Sequence, residues 1–469
     1  MKTSKNITDK DTNVVPKNER FLGQNLGVRR SLRELPEFSK ENSQDKNSSK
    51  ISGRAFRGSV RCATSIPSLR SGTTNVATTI PNAEKKSRNK ANYTKLNQYL
   101  NEKDFDENYA LLSHYIQLQG TAEAENYKSI LLQNGIDVSS LPTQKDFNKQ
   151  NDIPFPCKDK TKFTFIDLFA GIGGFRLAMQ DIGGKCVFSS EWDDAAKQTY
   201  FENYGEVPFG DITKPETKAL IPEEFDVLCA GFPCQPFSSI GKREGFEHKT
   251  QGTLFFHIAD ILNENKPKAF LLENVPGLLT HNKGKTFETI IDVLKNELHY
   301  TVFTKVLNSA DYEVPQIRKR LYFVGFREDL KISDFNFPIS SDKKVGIGTF
   351  LETSATGPSI SKHLQESYIF KKDDGHPEII DEHSNFPVKT LCASYHKIQR
   401  ITGTFVRGGE TGLRLLTVNE CKAIQGFPKS FKIPVSRTQM YHQFGNSVAV
   451  PTIRVISEKI VKILSARKV

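Results

Sequence analysis

Apolar residues recur with two different periods along this 469-residue chain, and the change of period divides it. From Phe163 onward, short β-branched and aromatic runs alternate with helical stretches: FTFIDLF, KCVFSSE, FDVLCAGF, KAFLLENV, TVFTKVLN and RLYFVGF. Strands separated by helices predict βαβ units and a doubly wound α/β fold, its mostly parallel sheet covered on both faces. The ligand crevice of such a sheet lies at the carboxyl ends of its strands. Between about 328 and 412 the rhythm gives way to polar, loop-rich sequence, and helical spacing resumes from Thr417 to Gln425 and from Val450 to the end. Upstream, Tyr109, Leu112, Tyr115 and Ile116 recur at helical spacing, and a second candidate helix runs from Ala124 to Leu132. Before about residue 90 the chain is rich in Ser, Asn, Thr, Lys and Arg and has too few apolar positions to offset its ordering entropy. The expected division is a disordered basic tail (1–90), a small helical extension (91–155), an α/β core (160–327), an insertion (328–412) and a C-terminal segment returning to the core (413–469).

Charge sharpens this division. The net charge of +11 sits in residues 1–90, which hold 19 Lys/Arg against 8 Asp/Glu, whereas the remaining 379 residues are balanced at 46 against 46. A tail of this kind either attracts phosphates non-specifically or is merely solvated. The first thirty residues lack an apolar central stretch, Asp9, Asp11 and Glu19 interrupt their basic residues, and no later segment reaches the length of a membrane span. A soluble, cytoplasmic protein is expected. Seven scattered cysteines without a C-x-x-C pair suit neither a disulfide nor a zinc framework. Most read as small buried hydrophobes, and no metal site is expected.

The candidate chemistry clusters where the strands end. Phe165 to Phe175 reads as a strand, a glycine turn and a helix start, where glycines admit a ligand close to the backbone and free amides face an anion. A tight packing turn would look the same. Glu191 follows the next strand about twenty residues on, where α/β nucleotide sites place an acid for ribose hydroxyls. Its neighbour Trp192 is the only tryptophan and suits either an adenine face or the core. Asp211, after the third strand, suits an adenine amino group or a helix cap. Cys234 ends the loop after the strand Val227 to Ala230, flanked by Pro233 and Pro236, which restrict the direction of its thiol. Glu273 and Asn274 end the strand Ala269 to Leu272, so Glu273 can exchange a proton with a ring nitrogen or cap the turn before Pro276. Strand alternation puts Arg318 and Arg320 on one face, suited to phosphate or a carbonyl oxygen.

In this order DLFAGIGG, EW, GDI, GFPCQPFS, ENV, QIRKR, RLLTVNECKAIQGFP and FGNSVAVP resemble the DNA cytosine-5 methyltransferase family, over about Phe163 to the C-terminus. The resemblance implies an S-adenosylmethionine-dependent methyltransferase fold whose insertion is a target recognition domain. It implies that Phe169, Gly171, Gly173, Glu191, Trp192, Asp211, Ile212 and Pro233 contact S-adenosyl-L-methionine, joined by Leu254, Asn446 and Val448. It implies Cys234 as nucleophile, Glu273 as partner of the cytosine ring, and Arg318 and Arg320 as supports of a flipped base. Within the family the chain is similar to the MspI-type modification methyltransferases, through SISKHLQESYIFKKDDG and VKTLCASYHKIQRITGTFV among others. That likeness implies methylation of the outer cytosine of CCGG in double-stranded DNA, by a monomeric bacterial enzyme of a restriction-modification system. The first 150 residues do not share that group's N-terminal pattern. Two alternatives stay open on the residues alone: an RNA cytosine-5 methyltransferase with the same catalytic plan, and a DNA-binding protein without catalysis.

Overall fold

The computed structural model of the protein describes residues 107–466 apart from 159, 234–253, 342–343 and 353–356. The basic tail, the start of the helical extension and Cys234 therefore lie outside the described residues. The extension contributes α1 (Glu107–Gln117), α2 (Ala122–Gln133) and α3 (Gln144–Gln150), the last two capped by Thr121 and Thr143. The core follows as β1 (Phe163–Leu168), α4 (Gly174–Asp181), β2 (Gly184–Ser190), α5 (Asp194–Tyr204), β3 (Val227–Gly231), α6 (Leu254–Asn265), β4 (Ala269–Asn274), α7 (Lys285–Asp292), β5 (Tyr300–Asn308) and β6 (Lys319–Arg327).

These six strands form one sheet in the order β2-β1-β3-β4-β6-β5. The chain moves from β1 outward to β2 and returns to the other side of β1 for β3, so the topological switch point lies between β1 and β3. Strands β2, β1, β3 and β4 are parallel, whereas β6 pairs antiparallel with both β4 and β5. The mostly parallel sheet is thus a mixed one, for a reason of length. Only residues 309–318 join β5 to β6, too few for the crossover a parallel pair needs. The reversal has a chemical result: the beginning of β6 lies beside the carboxyl end of β4, with Glu273 opposite Tyr322 and Asn274 opposite Leu321.

Alternation along the strands fills both faces. In β1, Phe163 and Phe165 enter one apolar cluster while Ile166 and Leu168 enter the other; in β4, Leu271 and Phe270 divide in the same way. One cluster gathers the C-terminal helix residues Ile453, Ile456 and Ile460 together with Phe405 and Leu413. The opposite cluster includes Tyr109, Ile116, Tyr127 and Leu131, so the helical extension packs on the sheet instead of standing apart from it.

After β6 the polar segment carries a small sheet, β7 (Glu378–Ile380), β8 (Thr404–Arg407) and β9 (Leu413–Arg414), in the order β7-β8-β9. Then come α8 (Val418–Gln425), opened by a capping box of Thr417 and Glu420, α9 (Arg437–Asn446) and α10 (Val450–Ala466). Helix α10 lies against α4, where Arg454 pairs with Asp181 at 2.6 Å. No helix among the described residues is long and apolar enough to cross a membrane.

Candidate active site

A cavity of about 740 Å³ opens where β1, β2, β3 and β4 end and β6 begins. At its cofactor-sized end the turn after β1 is built from unusual backbone. Phe169, Gly171 and Gly173 all adopt left-handed φ, at 54°, 54° and 81°. For Phe169 that conformation is costly, and it persists because its neighbours are fixed. Ala170 N–H donates to Ser190 O, and Gly171 N–H donates to Glu191 Oε2 at 2.8 Å. The other Glu191 oxygen accepts from the amides of Trp192 and Asp193, both at 2.9 Å. Burial pushes the Glu191 carboxyl upward, and these three amides act against it. Glu191 therefore holds the turn after β1 against the end of β2 while lining the cavity.

Trp192 also lines the cavity and is 80% exposed, so it is not the core residue that composition alone allows. Asp211 and Ile212 line it from the next segment, and Asp211 Oδ1 caps the amide of Thr213 at 2.9 Å. The amide that Asp211 holds belongs to a turn and not to a helix start, since the next helix begins at Pro215 behind Lys214. Pro233 and Leu254 line the cavity on either side of the undescribed stretch, and Asn446 and Val448 approach from the end of α9. Gly173 does not line it. It stands at the N-terminus of α4, where a Cβ would come within 2.4 Å of the Tyr204 ring, whose hydroxyl donates to Gly173 O at 2.7 Å.

The other end of the cavity holds the candidate catalytic groups. Glu273 is buried at the end of β4, with Arg320 Nε 2.9 Å from its Oε1, an ion pair without a well-aligned hydrogen bond. Burial raises the Glu273 carboxyl against the lowering influence of Arg320 and Arg318. Lys319 is exposed while Arg318 and Arg320 both line the cavity, as strand alternation predicts. Arg318 is buried, and its Nη2 donates to Gly445 O at 3.2 Å and Ser447 O at 2.7 Å. Its Nε and Nη1 have no hydrogen-bond partner among the described residues, and burial, then Arg320, lower it to about 10. Arg318 thus ties this end of the cavity to the segment that carries Asn446 and Val448.

Some residues in this arrangement carry little signal in the sequence. Asn274 Nδ2 donates to Phe232 O at 3.0 Å and so holds the backbone just beyond the end of β3. Gln316 donates to Ile424 O and accepts from Leu391 N, joining the polar segment to the C-terminal helices. His442 and Ser447 line the cavity as well; His442 lies one helical turn before Asn446, and only that spacing hints at its place. Among the described cysteines, Cys186, Cys229 and Cys421 are poor candidates for reaction, since burial pushes them well up from the ordinary thiol range.

Residues 163–462 match the model of the family described as C-5 cytosine-specific DNA methylase. The chain belongs to that family. It is 57% identical over 316 residues to the type II methyltransferase M.BsuFI of Bacillus subtilis, covering 67% of this chain and 76% of that one. It is also 57% identical over 298 residues to the type II methyltransferase M.MspI of Moraxella sp, covering 64% of this chain and 70% of that one. A solved mutant of Spodoptera frugiperda DNMT2 shares the fold, with a TM-score of 0.51 at 22% identity, over 65% of this chain and all of that one. The protein is a cytosine-5 DNA methyltransferase of the restriction-modification type, and S-adenosylmethionine is its methyl donor. The cavity suits that donor: it has the volume of a nucleoside-sized pocket, an exposed indole at its rim and a buried acid ordered by three amides.

Proposed function

We propose that this methyltransferase flips the outer cytosine of CCGG out of duplex DNA and methylates its carbon 5, with Cys234 as nucleophile and Glu273 as the group that handles the ring's charge. The observation that carries the assignment of roles is the meeting of Glu273, Arg318 and Arg320 at one end of the cavity whose other end holds Glu191 and Trp192. In this reading Trp192, Ile212 and Phe169 face the adenine, Asp211 takes its amino group, and Glu191 takes the ribose hydroxyls. Gly171, Pro233, Leu254, Asn446 and Val448 complete that wall, while Gly173 serves through the turn it allows.

When bound, S-adenosylmethionine supplies an electrophilic methyl group. Carbon 5 of cytosine is a poor nucleophile until a thiolate adds at carbon 6 and makes the ring an enamine-like donor. Cys234 performs that addition, and its free pKa of roughly 8.5 means the site must favour the thiolate. Glu273 holds a proton toward ring nitrogen 3 and limits the negative charge that develops there; burial, which raises its carboxyl, keeps that proton available to higher pH than on an ordinary carboxyl. Arg320 fixes the orientation of Glu273, and the Nε and Nη1 of Arg318 suit the carbonyl oxygen of the base. After carbon 5 takes the methyl group, a base accepts the carbon 5 proton, the C–H electron pair re-forms the ring double bond as the carbon 6–sulfur bond breaks and the Cys234 thiolate leaves, and nitrogen 3 returns its proton to Glu273. Extruding the base takes a few kcal/mol, offset by contacts in the pocket and to the DNA backbone.

The choice of CCGG rests on the similarity of the 328–412 segment to the MspI-type enzymes. That segment is proposed as the target recognition domain, between a core of 160–327 and a returning segment of 413–469. Bisulfite sequencing of DNA from cells expressing the protein tests both parts of the proposal. Protection of the outer cytosine of CCGG alone is expected; conversion of every CCGG cytosine would refute the target, and protection that persists in cells expressing Cys234→Ser would refute the nucleophile.

A further inference from the structure

We infer that His114, in the helical extension ahead of the family-matched region, is a positioning residue for the S-adenosylmethionine site. The inference rests on the placement of the cofactor beside Glu191 and Asp211 given above.

His114 lies in α1 and is fully buried on the rear of the edge that carries those two acids. Its Nδ1 is 2.9 Å from Ala110 O, and its Nε2 is 3.1 Å from Glu206 Oε1 and 3.4 Å from Ser189 Oγ. The one hydroxyl hydrogen of Ser189 is already given to Glu206 Oε1, at 2.9 Å. Both ring nitrogens thus have polar partners, which tie the ring to its own helix at one nitrogen and to Glu206 at the other. Glu206 is the counter-charge shared with Arg176, whose Nη1 lies 2.6 Å from the same oxygen. Arg176 belongs to α4, the helix that starts at the cavity with Gly174.

The ring of His114 also stacks on Phe209, with centroids 4.1 Å apart and planes at 24°. Phe209 is the pivot of the site. Its amide donates to Ser189 O at 2.8 Å, and its carbonyl accepts from the Glu191 amide at 2.9 Å. Two residues later the same segment presents Asp211 and then Ile212 to the cavity. One side chain of the extension therefore braces both cofactor acids from behind: Glu191 through the Phe209 backbone, and Asp211 through the Phe209 ring. Ser113, beside it, accepts from the Val207 amide at 2.9 Å, and the Tyr127 hydroxyl lies 3.2 Å from Val187 O and 3.1 Å from Leu220 O. None of His114, Ser113, Tyr127 and Phe209 lines the cavity beside Glu273, Arg318 or Arg320 among the described residues, so their removal loosens cofactor binding and spares the chemical step.

The test uses the full chain and isothermal titration calorimetry with S-adenosylhomocysteine, alongside methyl-transfer kinetics. His114→Ala is expected to raise the dissociation constant and the KM for S-adenosylmethionine about tenfold, as small displacements of binding groups do. The KM for DNA and the single-turnover rate at saturating cofactor stay within about twofold of the parent. His114→Gln, which returns a donor toward Glu206, recovers part of the affinity, and His114→Phe, which keeps only the stacking, recovers less than His114→Gln. Unchanged cofactor affinity in a cooperatively melting His114→Ala, or a loss spread equally over cofactor, DNA and rate, would overturn the inference. If the alanine variant does not fold, the order of the other two variants decides it in the same way. Glu191→Ala serves as the control: unchanged binding there overturns the cofactor placement itself, whereas weakened binding there with normal His114 variants overturns only the positioning role.

Discussion

Replacing Glu273 by Gln removes a proton while preserving shape, and its effect can be estimated from the site. The carboxyl is buried at the end of β4, 2.9 Å from Arg320, and burial raises it despite two nearby guanidiniums. A carboxamide can still donate a hydrogen bond but cannot deliver a proton to ring nitrogen 3. Positioned general acids contribute about 10²–10⁴ in rate, so the barrier should rise by about 3–5 kcal/mol. Above the raised carboxyl value the Gln also removes the charged partner of Arg320, whose Nε lies 2.9 Å from Glu273 Oε1, and there stability should fall by about 1–3 kcal/mol. The direction of the pH effect follows from the raised carboxyl. The parent needs the protonated acid, so its rate falls as pH rises through that raised value; in Glu273→Gln this limb vanishes and the residual rate rises with the Cys234 thiolate. Rapid-quench single turnovers with a labelled methyl group, at saturating cofactor and DNA, measure the step directly. A Glu273→Gln rate within about fivefold of the parent, or an equal loss of S-adenosylmethionine affinity, would refute the role assigned here.

Other expectations follow from named contacts. Burial alone would raise Glu206, but Arg176 and His114 outweigh it and hold it at about 2. A depressed carboxyl stabilises the fold above its unfolded pKa of about 4.5 and loses that contribution as pH falls toward 2, so the stability difference between the parent and Glu206→Gln should shrink by about 3 kcal/mol between pH 5 and 2 in urea titrations; a constant difference would contradict the buried ion cluster. Saturating S-adenosylhomocysteine should change the emission of Trp192, the sole indole, and an unchanged spectrum would count against its place at the adenine. Gly173→Ala should lower stability by at least about 2 kcal/mol because its Cβ meets Tyr204, whereas Gly171→Ala, with open space around it, should cost about 1 kcal/mol; equal losses on thermal melting would show that the turn is not strained as described.

The α/β core and the cavity wall were legible because each strand end carries its own local sign: a glycine turn after β1, an acid after β2, the PC and ENV runs after β3 and β4. Period-two alternation likewise predicts that Arg318 and Arg320 share a side, and both line the cavity. The reversed direction of β6 was harder to see, since nothing in its apolar pattern reports direction; only the short 309–318 connection does. Yet that reversal is what brings the two arginines to Glu273. Gly173 looked like a ligand contact because a tight turn and a ligand cradle demand the same residue, and only the Tyr204 ring distinguishes them. Long-range polar links such as Arg318 to Ser447, Gln316 to Ile424 and His114 to Glu206 leave no periodic trace, for they join residues 92 or more apart in the chain. The place of His114 in particular depends on Glu206 and Phe209, which no sequence window contains together with it.

The most direct test of the account is covalent capture. A CCGG duplex carrying 5-fluorocytosine at the outer position lacks the proton that must leave carbon 5, so the enzyme should stall with the base attached. After incubation with S-adenosylmethionine and proteolysis, mass spectrometry should find the adduct on the peptide containing Cys234 and on no other. Efficient methylation of the ordinary duplex with no adduct from the fluorinated one, or an adduct on a different cysteine, would contradict the central claim.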